Sequence, residues 1–141
     1  MKVVLDTNIF ISAVLKPASG PGRIVDLAQA GRIRLLVSES VLSELKAVLS
    51  YPHLKKLHRK SPRWIKAFIS ELAEKSEVTP DILVVDAVMD DPSDNIYLAC
   101  AVEGQADYIV SGDHHLKDLK TFQGIPIIDP AAFLKIISET K

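Results

Sequence analysis

Most features that would staple, anchor or strongly charge a protein are scarce in this chain of 141 residues. There is a single cysteine, Cys100, in the apolar setting Ala99-Cys100-Ala101-Val102. One thiol builds neither a disulfide framework nor a thiolate metal site, and apolar neighbours fit an inert core cysteine better than a nucleophile. No apolar run is long enough to cross a bilayer. Opposite charges nearly cancel, leaving a formal net charge of −1, so no global field draws the chain to nucleic acid or to a membrane surface. Internal repeats, low-complexity tracts and domain-splitting linkers are absent, and the chain opens into a strand pattern rather than a basic, apolar leader. The expectation is one globular domain over residues 1–141, in a reducing cytoplasm and away from membranes. A hydrophobic content of 48% suffices for one core.

What is present is an alternation of two periods. Short β-branched runs, Lys2 to Leu5, Arg34 to Val37, Asp107 to Val110 and Ile125 to Ile128, are separated by longer stretches with apolar residues at helical spacing. This predicts an α/β fold, a parallel sheet wrapped by helices on both faces. Ile82-Leu83-Val84-Val85 reads equally as a further strand or as an apolar loop. Ser61-Pro62, Asp91-Pro92 and Asp129-Pro130 mark helix starts, each a capping residue before a proline suited to the first turn. Gly104 reads as the stop of the helix carrying Ile96, Ala99, Cys100 and Val102. Lys16 to Gly22 reads as a loop between two early helices.

Four carboxylates stand out by position. Asp6 ends the first strand, and ligands bind in the crevice outside the carboxyl ends of parallel strands. Asp113 follows the run Asp107 to Val110, so two strands lead into an aspartate. Glu44 falls on the margin of the helix face made by Val41, Leu45, Val48 and Leu49. Asp94 lies in the first turn of the helix begun by Asp91-Pro92. Carboxylates gathered at one rim repel one another unless a counter-charge is supplied. Mg2+ or Mn2+ suits them, since hard cations take oxygen ligands. Zinc fits less well, because only His114-His115 lies near and adjacent residues on an extended segment point to opposite sides. Such a site hydrolyses phosphodiesters without a protein nucleophile, which suits a chain with no Ser/His/Asp or Cys/His arrangement. Thr7, Asn8 and Ser111 stand beside the strand-end acids, where they would orient a carboxylate or a bound water.

Each acid alone has a plainer explanation: Asp6 as a helix cap, Glu44 as a solvated helix residue, Asp94 with Asp91 as an acidic first turn, Asp113 as a turn residue. Those explanations account poorly for two strands ending in Asp within one small chain. The basic run Lys55, Lys56, Arg59, Lys60 and Arg63, with Tyr51, His53, His58 and Trp64 nearby, offers a way to bind RNA phosphates and stack a base. A solvated face is its plainer explanation, and Trp64 with Phe68 suits a core or a subunit interface. Asp86, Asp90 and Asp91 are given mainly loop and cap roles.

Leu5-Asp6-Thr7-Asn8, Ser40-Val41-Leu42-Ser43-Glu44-Leu45, Asp91-Pro92-Ser93-Asp94-Asn95 and Ile109-Val110-Ser111-Gly112-Asp113-His114-His115-Leu116 occur in that order. Together they resemble the PIN domain, above all its small prokaryotic members similar to VapC, classed as toxins of toxin–antitoxin pairs. The likeness runs the length of the chain, through Gly124 to Pro130 and the last helix. It implies a parallel sheet wrapped by helices, an acidic cluster holding Mg2+ or Mn2+, cleavage of RNA, a homodimer and a small antitoxin partner. By position it makes Asp6, Asp94 and Asp113 metal ligands and Glu44 a ligand or the residue that positions the attacking water. All four are then expected catalytic residues. Asp91 competes with Asp94, which stands directly before Asn95 as in the family pattern. The expected activity is that of a metal-dependent endoribonuclease leaving a 5′-phosphate and a 3′-hydroxyl; the alternative is a non-catalytic PIN domain that binds RNA or a protein. An aspartyl-phosphate phosphatase is disfavoured, since Asn8 stands where that chemistry needs a second acid.

Overall fold

The computed structural model describes residues 1–85 and 94–139. Asp86, Asp90 and Asp91, and the helix start expected at Asp91-Pro92, lie outside the described residues. Along the chain follow β1 (Lys2–Leu5), α1 (Thr7–Leu15), α2 (Gly20–Gln29), β2 (Arg34–Val37), α3 (Glu39–Leu49), α4 (Pro52–His58), α5 (Pro62–Lys75), β3 (Glu77–Val78), α6 (Asn95–Gly104), β4 (Tyr108–Val110), α7 (His114–Leu119), β5 (Thr121–Phe122), β6 (Ile125–Ile128) and α8 (Pro130–Glu139). The strands form a sheet in the order β3-β2-β1-β4-β6-β5, and only β5 with β6 is antiparallel.

Val3, Val4 and Leu5 are all buried, as are Leu35, Leu36 and Val37. Successive strand residues point to opposite faces, so β1 and β2 are covered on both. The order runs outward from β1 through β2 to β3, then resumes on the other side of β1 with β4 and β6. Right-handed crossovers therefore put the helices joining β1, β2 and β3 on one face and α6 and α7 on the other. The reversal, a topological switch point, falls between β1 and β4.

The caps expected at Ser61 and Asp129 are made, and Ser38 caps α3 as well. Ser38 Oγ accepts from the Val41 N–H (3.1 Å), Ser61 Oγ from that of Trp64 (3.0 Å) and Asp129 Oδ1 from that of Ala132 (2.8 Å). Other expectations need correcting. The loop read over Lys16 to Gly22 ends early, because Ser19 caps α2 and Gly20-Pro21-Gly22 forms its first turn. Gly104 does not stop α6 by turning left-handed: it is the last helical residue, pressed so closely on the core that a Cβ would lie 2.6 Å from Leu36 Cδ1. Gln105 takes the left-handed conformation instead, at φ 56°. α6 buries Tyr97, Leu98 and Ala101 besides Ala99 and Cys100, more of its circumference than the expected single face, because it packs on β1, β2, β4 and α3. Burial raises the Cys100 thiol to about 11, as an inert core cysteine requires. Ile82 to Val85 adds no strand to the sheet.

A carboxylate holds the chain after β3. The backbone N–H groups of Asp81, Ile82 and Leu83 donate to Glu103 at 2.9, 2.9 and 3.0 Å. Burial alone raises this carboxyl, but the donors outweigh it and hold it below its usual 4.5. A depressed folded value stabilises the protein above the unfolded value, and that contribution is lost as pH falls through the folded one. Glu103→Gln should therefore lower stability at neutral pH by about 1 kcal/mol and match wild type in acid. Coincident melting curves at pH 7 would contradict this role.

Candidate active site

β1 and β4 pair with Leu5 opposite Val110, so the residues that follow, Asp6 and Ser111, meet at the carboxyl edge of the sheet. The Asp6 N–H donates to the Val110 carbonyl (3.2 Å) and that of Ser111 to the Ile128 carbonyl (2.9 Å), which extends the ladder past both strand ends. The Asp6 side chain is buried with both oxygens engaged. Oδ1 accepts from the Ile9 N–H at 3.1 Å and caps α1, while Oδ2 accepts from the Ser111 hydroxyl. Asp6 is thus the helix cap of the plainer explanation, and the cap holds its carboxylate in one orientation. Burial above all, with a smaller push from the Asp113 charge, raises this carboxyl to about 6 against the lowering effect of bonds from Ser111, Ile9 and Asn8.

Asp113 does not end β4. Ser111 occupies that place, and Asp113 stands two residues on, before α7. Its N–H donates to Ser111 Oγ at 2.9 Å and its carbonyl accepts from the Lys117 N–H at 3.0 Å. One strand, not two, leads directly into an aspartate, and a single serine hydroxyl links the two acids. α3 packs against α1 and α6 and brings the half-buried Glu44 to the same edge. A cavity of about 120 Å³ is lined by Asp6, Thr7, Asn8, Glu44, Val48, Asp94, Tyr97 and Asp113. Four acids from four stretches of chain therefore face one space.

Tyr97 is a site residue that sequence reasoning missed. It is buried, and its hydroxyl shares a hydrogen bond with Thr7 Oγ1. Burial, and then the charges of Asp6, Glu44 and Asp94, push the phenol well above its usual range, so it faces the acids protonated. Its one signal in the sequence is a place three residues after Asp94, on the same side of a helix. Of the expected orienting residues, Ser111 touches Asp6, Thr7 touches Tyr97, and Asn8 lines the cavity. Lys55, Lys56, Arg59, Lys60 and Arg63 do not line it.

The family model described as the PIN domain matches residues 2–115, a span that contains all four acids. The chain belongs to the PIN domain family. An uncharacterized protein of Methanocaldococcus jannaschii is 32% identical to it over 120 residues, which cover 85% of this chain and 76% of that protein. The crystal structure of VapBC2 from Rickettsia felis bound to a DNA fragment from their promoter shares the fold. Its TM-score is 0.58 at 16% identity, over 92% of this chain and 98% of that one. The family read from four short motifs stands, and so does the expected parallel sheet, to which β5 adds an antiparallel edge.

In this PIN domain the donor set fits a hard cation. It is all oxygen, and repulsion from Asp113 adds to the raised value of the Asp6 carboxyl, a cost that a cation would relieve. Among the described residues, no three acid, histidine or cysteine side chains are grouped closely enough to hold an ion by themselves. Mg2+ itself keeps several waters and takes one or two carboxylates plus substrate phosphates, so it does not require a full cage of protein ligands. Asp6, Asp94 and Asp113 line the cavity and are the residues that could supply those carboxylates.

Proposed function

We propose that this PIN domain is a metal-dependent endoribonuclease and the toxin of a toxin–antitoxin pair. The observation that carries the reading is the meeting of Asp6, Glu44, Asp94 and Asp113 in one cavity. Mg2+ or Mn2+ held by Asp6, Asp94 and Asp113 would polarise the scissile phosphate and acidify a bound water. The chain's own residues do the rest. Ile9 and Ser111 fix the Asp6 carboxylate, and Ser111, engaged in that bond, is not a nucleophile. Glu44 orients the attacking water and accepts its proton. Thr7 and Tyr97 tie α1 to α6 and so keep Asp6 and Asp94 in register. Attack by water leaves a 5′-phosphate and a 3′-hydroxyl. The fold shared with VapBC2 supports the toxin part of the reading, which includes a small antitoxin, a homodimer and a site of action in the cytoplasm.

The test is end-labelled single-stranded RNA incubated with the purified protein. Cutting is expected with Mg2+ or Mn2+, with 5′-phosphate on the downstream product, and none in excess EDTA. Cleavage that persists in EDTA would overturn the metal route. Growth arrest on expression, relieved by the adjacent small reading frame, would support the toxin role. A second reading, a non-catalytic module that binds RNA or a protein, is favoured by the lack of a ready three-ligand group among the described residues. It predicts no cleavage with either metal.

A further inference from the structure

An acidic cavity repels a polyanion, so affinity for RNA has to come from elsewhere on the molecule. Between Glu44 and Glu71 the chain has seven Lys and Arg residues and no Asp or Glu, although the whole chain is nearly neutral. Lys55, Lys56, Arg59 and Arg63 in this stretch are exposed, and among the described residues none of them pairs with a carboxylate.

The corner that carries them is firmly built. His58 is buried between α3 and the corner, with Nε2 bonded to the Leu49 carbonyl (2.9 Å) and Nδ1 accepting from the Lys60 N–H (2.8 Å). Nδ1 is the acceptor, so Nε2 carries the proton. Arg59 is held at φ 56°, and its N–H caps α4 by donating to the Lys55 carbonyl at 2.9 Å. These bonds clamp the basic corner to the end of α3. Leu49 follows Val48, which is a wall of the acidic cavity. Tyr51 is 47% exposed and returns its N–H to the Val48 carbonyl at 3.1 Å. Trp64 is not available for stacking, because Phe68 lies parallel to it at 5.2 Å and Lys60 Nζ sits 4.8 Å over its ring. Among the described residues of this corner the exposed rings are Tyr51 and His53, which lie 6.0 Å apart and tilted by 32°, and Tyr51 is the larger face.

We infer that Tyr51 with Lys55, Lys56, Arg59 and Arg63 forms a track for single-stranded RNA leading away from the acidic cavity. A base stacks on Tyr51, and the cations neutralise backbone phosphates. The choice of RNA rests on the ribonuclease reading above; the track adds where the strand is held.

Fluorescence anisotropy with a labelled single-stranded RNA oligonucleotide, in EDTA so that nothing is cut, tests this. For the triple variant Lys55→Gln/Lys56→Gln/Arg63→Gln, Kd should rise at least tenfold at about 0.1 M salt. The slope of log affinity against log salt should flatten by about 2, at roughly 0.7 for each phosphate no longer neutralised. Tyr51→Leu should raise Kd about tenfold and leave the slope unchanged. Melting temperatures equal to wild type exclude misfolding. Unchanged affinity and slope in the triple variant, or no RNA binding by the wild-type protein, would overturn the inference. So would a triple variant that binds RNA normally and loses a protein partner. Binding through the corner without cleavage by the metal-loaded protein would keep the track and end the nuclease reading. Cleavage with undiminished binding by the triple variant would do the opposite.

Discussion

Asp6→Asn is expected to cut RNA cleavage on the order of a thousandfold while making the metal-free protein more stable. Asparagine keeps an Oδ1 for the Ile9 N–H, so the cap on α1 survives, and its Nδ2 can donate to Ser111 Oγ in place of the bond that Oδ2 accepts; what is lost is the negative charge. In the folded protein that charge is unwelcome. Burial lifts the carboxyl from 3.8 to about 6, so the folded state binds the proton more tightly than the unfolded one. The stability gained from the protonated form is whole below the unfolded value and is lost as pH rises through the folded one. A gap of about two units corresponds to about 3 kcal/mol at neutral pH. Melting in EDTA should therefore place the variant above wild type near pH 7.5, with the two converging near pH 4. Added Mn2+ should raise the melting temperature of wild type more than that of the variant, since only a ligand of the folded state stabilises it. A variant that still cleaves RNA at the wild-type rate would sink the mechanism. One that melts like wild type at pH 7.5 would show that the buried charge is not strained.

Gly22→Ala is the substitution expected to cost the fold most for a single added methyl group, about 3 kcal/mol. In an open helix the change would gain up to about 1 kcal/mol of helix propensity. Here the new Cβ would lie 2.1 Å from the Pro17 carbonyl oxygen and 2.6 Å from its carbon. Both are backbone atoms, so no rotamer change relieves the clash. The turn from α1 into α2 has to shift, which carries an overpacking cost of about 1–3 kcal/mol. The shift also disturbs the cap in which Ser19 Oγ accepts from the Gly22 N–H at 3.3 Å, a contribution of about 1 kcal/mol. Urea unfolding should show a lower midpoint at unchanged slope. A midpoint equal to that of wild type would show that the turn yields without cost.

The strong local signals carried the architecture. β-branched runs located β1, β2 and β6 to the residue, and capping residues located α5 and α8, because these elements are decided by side chains within a few residues. β3 and β5 are two residues long, too short for any period, and exist because β2 and β6 offer them an edge. The β5–β6 hairpin turns at Gln123-Gly124, both at positive φ, where the usual signal would be Asn-Gly. Gly104 does end α6, but what requires a glycine there is Leu36, met through space and not along the chain. At the site, Asp6 is legible at a strand end, Asp94 at a helix start, Asp113 shortly after a strand and Glu44 on the margin of a helix face. The pairing of Ser111 with Asp6 needs the parallel register, and Tyr97 looks in the sequence like any other apolar position of a buried helix.

β1 sits between β2 and β4, and the Asp6–Ser111 bond joins residues 105 apart in the chain. During synthesis β1 leaves the ribosome well before β4, its partner on one side, because the two strands are separated by about a hundred residues of chain. Long-range parallel pairing is also slow to form. The carboxylate cluster is therefore complete only after Ser111 and Asp113 have cleared the exit tunnel. Whatever chemistry Asp6 performs waits until the chain through Asp113 has emerged, although Asp6 itself is among the first residues made.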